Sequence, residues 1–381
     1  MATALQTQLS DGIKATSDLE LRSTSTSMRR LPFKLHDFTR TCWVSDSARD
    51  VWEPRLHRIT NAWIEIEWRA ITDGVRSCCI TMASPEQFLE RAPRWNQHGL
   101  TALPIAIAGV GASYSSTPRA AEYGKPFAFR FVLGSQEHIL EFKDAWDRSD
   151  DRAIGRLLGY PACCSEFFKR VWVDDRLVDT TWPMAVATVP PEDRNVLIDS
   201  SSPPKANILW RWMGVRAVSH LACSFGCEAT VELADRLIDV GRKHGFDEEM
   251  DWLLQVLDWP VEWSALHGVA EIKTPILKVS TRTDATPCKY VVRYEGRSLP
   301  PEAASGVNFP FVVPSKAIVT ESNGFKRGLE NPIREQLSNA PWYATDNGFS
   351  TAAAMASSHE PILNAVNSVL AAKPGMVLDP G

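Results

Sequence analysis

The sequence predicts a mixed α/β protein, α+β in its N-terminal and central parts, and two observations carry that expectation. Alternating or continuously apolar stretches rich in Val, Ile and aromatic residues cluster at about 62–133 and again at about 271–318. Between them, about 135–257, apolar residues recur at helical spacing. The order strand-rich, helical, strand-rich and then α/β suits neither a helix bundle nor a β-sandwich. It divides the chain into a tail (1–30), a strand-rich region (31–134), a helical cysteine-containing region (135–270), a second strand-rich region (271–325) and a final segment (326–381).

In chain order, Met1 to Arg30 is rich in Ser and Thr without apolar periodicity and reads as a mobile tail. Ala62-Trp63-Ile64-Glu65-Ile66-Glu67-Trp68 alternates as a half-buried strand does. Arg76–Met82, Leu103–Ala108 and Phe127–Leu133 are further predicted strands. Ser84-Pro85-Glu86 predicts a helix start, with Ser as cap and Pro at the first helical position. Asp193–Lys205, with its Ser-Ser-Ser-Pro-Pro run, interrupts the helical region as a loop. Ile276–Val279, Tyr290–Tyr294 and Phe311–Val313 are the later strands.

Composition excludes several functions. The 381 residues carry a formal net charge of −5, which offers phosphate no attraction and disfavours nucleic-acid binding. Trp210 and Trp212 beside Arg211 are the one candidate stacking surface. The longest apolar run, Leu103–Ala112, is broken by Pro and Gly and too short to span a bilayer. No charged-then-apolar leader opens the chain, so a cytoplasmic, reducing setting is expected. There the 8 cysteines point to metal binding or chemistry in preference to a disulfide framework.

Two cysteine pairs stand out. In Gly159-Tyr160-Pro161-Ala162-Cys163-Cys164, Pro161 suits a first helical position and puts both cysteines in the first turn. Free backbone N–H groups and the helix dipole favour the thiolate there. In His220-Leu221-Ala222-Cys223-Ser224-Phe225-Gly226-Cys227, Ser224 is the expected cap of a helix whose apolar face is Val231, Ala234, Leu237 and Ile238. Four sulfurs, or three with His220, match a tetrahedral zinc site or an iron–sulfur cluster. Small buried hydrophobes and a metal-free redox or nucleophilic thiol are the competing readings. Cys42, Cys78, Cys79 and Cys288 are assigned to packing; Cys78 and Cys79, adjacent on a strand, face opposite sides.

His267 and Glu271, four residues apart, form a candidate acid–base pair or metal-ligand pair if helical. A core segment packed by Trp259 and Trp263, with His267 bonded to backbone, is the alternative. Gly109-Val110-Gly111-Ala112-Ser113 lacks the third glycine of a dinucleotide turn and reads as a tight strand end.

The Gly159-Tyr160-Pro161-x-Cys163-Cys164 and Cys223-Ser224-x-x-Cys227 segments resemble an uncharacterised group of prokaryotic proteins that carry both, over about Leu157–Thr286. The resemblance implies that the two segments work together and brings no activity. From Tyr343, a helix with Ile362, Leu363, Val366, Val369 and Leu370, a Lys373-Pro374-Gly375 turn and Met376-Val377-Leu378-Asp379 resemble the opening of class I S-adenosylmethionine-dependent methyltransferases. That resemblance implies a truncated doubly wound domain. Asp379 and Gly381 would contact S-adenosylmethionine only in a longer parent. The expected function is a metal-binding enzyme acting on a small molecule or peptide. A non-catalytic substrate- or partner-binding module with structural cysteines is the alternative.

Overall fold

The computed structural model describes residues 38–109, 121, 126–177, 179–284, 286 and 288–305. The predicted tail, the 311–313 strand, the Gly109–Ser113 turn beyond Gly109, and the methyltransferase-like segment with Asp379 and Gly381 lie outside them. The architecture is a mixed α/β fold, as the alternating patterns predict.

Two sheets form among the described residues. The larger has six strands in the order β1-β8-β7-β6-β9-β5: β1 (Thr39–Trp43), β5 (Leu197–Ser200), β6 (Val261–Leu266), β7 (Val269–Lys273), β8 (Leu277–Arg282) and β9 (Tyr290–Tyr294). All its pairings are antiparallel except β5 with β9. Thr39 at one end of the chain thereby lies opposite Thr281 near the other. The smaller sheet is antiparallel, in the order β2 (Cys78–Ala83), β4 (Phe127–Gly134), β3 (Thr101–Gly109).

The first correction concerns Ala62–Trp68, which is not a strand. It lies inside α1 (Asp46–Thr72), whose N-terminus is closed by Ser45 accepting from the Ala48 N–H. Ala48, Trp52, Leu56, Ile59, Trp63, Ile66 and Ala70 are all buried, and their spacing of three and four residues is that of one helix face. Seven residues alternate by coincidence within a longer 3.6-residue period. The next helix, α2 (Pro85–Gln97), starts as predicted: Ser84 and Gln87 form a capping box and Pro85 occupies the first turn.

α1 runs through the main core with α7 (Glu228–Lys243), α8 (Asp247–Leu257) and the inner face of the six-stranded sheet. Tryptophans fill it: Trp52 meets Trp259 edge-on at 4.5 Å between ring centres, and Trp210 lies 5.8 Å from Trp259. The small sheet carries a core on each face. Cys79 and Phe131 belong to one, with α2. Cys78 and Val132 belong to the other, with α3 (Gln136–Asp147) and α4 (Asp151–Leu157). Cys78 and Cys79 therefore face opposite sides, as expected; Cys42 and Cys288, assigned to packing, are instead exposed.

The supposed stacking surface is also corrected. Trp210, Trp212 and Arg211 are buried in a 3-10 turn, and Arg211 is ion-paired with the fully buried Asp179 at 3.2 Å. No helix among the described residues is long and apolar enough to cross a membrane.

Candidate metal centre

The first cysteine pair is placed by a helix stop followed directly by a helix start. At the end of α4, the Gly159 N–H donates to the Arg156 carbonyl and the Tyr160 N–H to the Gly155 carbonyl, with Gly159 at φ +72°. A side chain at 159 would be strained by that φ and would sit 2.7 Å from Arg76 Cβ, so glycine is required twice over. Pro161 then precedes α5 (Ala162–Phe168) as its cap residue, one position earlier than predicted. Cys163 and Cys164 fall in the first turn. Cys163 is exposed and Cys164 buried.

The second pair precedes α7. The cap is Cys227 itself, not Ser224, and no side chain bonds to the free N–H groups of the first turn. The chain from Cys223 to Cys227 turns back on itself, with the Cys227 N–H donating to the Ser224 carbonyl at 3.4 Å. This delivers Cys223 and Cys227 to the start of α5.

All four Sγ atoms lie within 4.8 Å of one another. Cys163 to Cys164 is 3.9 Å, and Cys227 is 3.7 Å from each. The edge of a tetrahedron with metal–sulfur bonds of ~2.3 Å is about 3.8 Å. The sulfurs thus form a cluster able to hold a metal ion. The separations far exceed a disulfide bond of ~2.05 Å, and all four cysteines are free.

Electrostatics among the metal-free thiols favour a single thiolate. Cys223 is drawn down to about 5, foremost by the hydrogen bond from the Cys164 thiol and then by those from its other neighbours. Burial, with Cys223 beside it, pushes Cys163 up to about 11. Cys164 is raised further, first by its bond to Cys223 and then by burial. A dication reverses this balance, because it compensates the charge that crowding forbids.

Cys164 is also supported from outside the cluster. The Cys223 backbone N–H donates to its sulfur at 3.4 Å, and Thr230 Oγ1 lies 3.4 Å away. Thr230, one turn into α7, bonds in turn to His220 Nε2 at 2.9 Å. His220 is therefore not among the clustered ligands; it stands behind Thr230. Burial foremost, and the Arg76 guanidinium after it, lower His220 to about 3, so the ring is neutral. The sequence reading missed Thr230, whose signal was its position three residues after Cys227, on the same helix side.

The predicted His267/Glu271 pair does not share a helix. His267 and Gly268 are the turn of the β6–β7 hairpin, both at positive φ (48° and 81°), and His267 is exposed. Glu271 lies on β7, paired with Lys278. Trp259 and Trp263 are fully buried, so the segment is core leading into a hairpin.

Compared with protein-family models, curated proteins and solved structures, the chain matches none.

Proposed function

We propose that the protein is a zinc protein in which the thiolates of Cys163, Cys164, Cys223 and Cys227 enclose one ion. The observation that carries this reading is the set of 3.7–3.9 Å sulfur separations, the edges of a tetrahedron about one centre. An iron–sulfur cluster spreads its thiolates over several irons and needs a wider cage. Four thiolates fill the coordination of zinc and leave no open position for substrate, which favours a structural ion over a catalytic one. Its work is to clamp the start of α5 to the start of α7. This reading prefers a ligand- or partner-binding module to a metal-dependent enzyme.

The test is metal analysis with an absorption spectrum on protein purified without oxygen. One zinc per chain, colourless, and lost in a Cys164→Ser/Cys227→Ser double variant is the expected result. Visible absorption with one iron per chain would replace zinc by a single iron; iron with acid-labile sulfide would show a cluster. A folded, metal-free wild-type protein would end the metal reading altogether.

A further inference from the structure

A pocket of about 740 Å³, counting its open mouth, lies against the buried side of the cysteine site, with Cys164 in its wall. Three parts of the chain build its polar lining. Arg130 comes from β4, on the same strand face as Val132. Tyr160 and Ser165 come from the junction of α4 and α5, and Arg216 and His220 from the segment that leads into Cys223. Ile80, Leu158 and Phe168 supply an apolar wall.

Two of these polar groups are incomplete. His220 is 7 % exposed, and its Nδ1 is buried without a hydrogen-bond partner among the described residues. Ser165 Oγ is likewise buried without one. Native proteins seldom leave such atoms unsatisfied, and each points to a bound group. With Nε2 turned to Thr230, a neutral His220 that donates there keeps Nδ1 as an acceptor. The lining carries two guanidinium groups against one carboxyl, Asp151.

We propose that this pocket binds a small molecule with one carboxylate or phosphate group, held by Arg130 and Arg216, and an apolar body lying against Ile80, Leu158 and Phe168. Guanidinium groups bind both oxyanions through paired, charge-assisted hydrogen bonds. The apolar wall excludes free inorganic anions as the preferred ligand, since they would leave it uncovered. The proposal stands on these residues and does not require that the cysteines hold metal.

Isothermal titration of the full chain with phenylacetate, phenyl phosphate and the neutral 2-phenylethanol tests it. At least one anion is expected to bind once per chain, and the alcohol at least about tenfold more weakly, the scale of one charge-assisted hydrogen bond. Whichever anion binds more tightly identifies the group as carboxylate or phosphate. Arg130→Gln and Arg216→Gln should each weaken that anion about tenfold. Anions no tighter than the alcohol, or binding unchanged in both variants, would overturn the proposal. If the variants do not fold, hydrogen exchange on the wild-type protein decides. Protection by the anion at 151–168 and 215–221 is expected, and protection elsewhere is contrary. Zinc content measured on the same samples separates failure of the metal reading from failure of this one.

Discussion

The sulfurs of Cys164 and Cys227 lie 3.7 Å apart across 63 residues of sequence. Two helix starts are held face to face by this contact, and each contributes N–H groups that no side chain caps. Those dipoles soften the cost of gathering thiolates, yet burial still keeps Cys163 and Cys164 protonated in the metal-free protein.

Zinc binding should therefore expel at least two protons at pH 7, one each from Cys163 and Cys164. Cys223, drawn down to about 5, is already ionised at that pH. Affinity then falls about a hundredfold for the one-unit drop from pH 7 to pH 6, because two protons compete with the ion. Titration calorimetry in two buffers of different ionisation enthalpy counts the protons. A release of one or none would contradict the described arrangement of thiols.

His220 gives the protein an acid-sensitive element separate from the thiols. Its folded value, about 3, lies below the ordinary histidine value, so the unfolded chain binds the proton first. Stability from this group is full above the unfolded value and is lost as pH falls towards 3. Between pH 6 and 5 the loss approaches about 1.4 kcal/mol per unit. His220→Gln should flatten that part of the urea-unfolding profile relative to wild type, with zinc content unchanged. An identical slope in both proteins would show that His220 is accessible to protons in the folded state.

Much of this site is legible in the sequence, because helix starts leave local marks. Pro161 and the glycine before it announced the start of α5, and the Ser84–Gln87 box announced that of α2. The strands of the small sheet followed from their apolar runs. Ala62–Trp68 misled because a seven-residue window fits both periods, and only the flanking Trp52, Leu56 and Ile59 reveal the longer one. The pocket was hidden for another reason. Arg130 sits in a strand that reads as apolar, and its neighbours Tyr160 and Arg216 are far away in the chain. No local pattern encodes such a convergence.

Arg76 joins the two cysteine segments from behind. Its guanidinium is buried and ion-paired with the Glu67 carboxylate, donates to the Glu67 carbonyl at 2.6 Å and reaches Ser219 Oγ at 3.2 Å. Its Cβ is the atom that denies position 159 a side chain. Glu67→Gln should cost about 3–5 kcal/mol in urea unfolding, because it strands a buried cation. A Glu67→Met/Arg76→Met double variant should recover much of that loss. A cost below about 1 kcal/mol for the single change would place the pair in solvent, where ion pairs contribute little.

His267 offers the last test, since its residue type suggests chemistry and its position suggests a turn. With φ at 48° beside Gly268 at 81°, the two residues form the left-handed corner of the β6–β7 hairpin. Asparagine adopts that conformation more readily than histidine, and glycine does so without steric cost. The His267 backbone N–H donates to the Thr286 carbonyl at 3.0 Å, a bond that neither substitution removes. His267→Asn and His267→Gly should therefore leave stability unchanged or raise it by about 0.5–1 kcal/mol, with zinc content and anion binding intact. Loss of metal or of anion binding in either variant would return His267 to the functional site and displace the turn as its reason for being there.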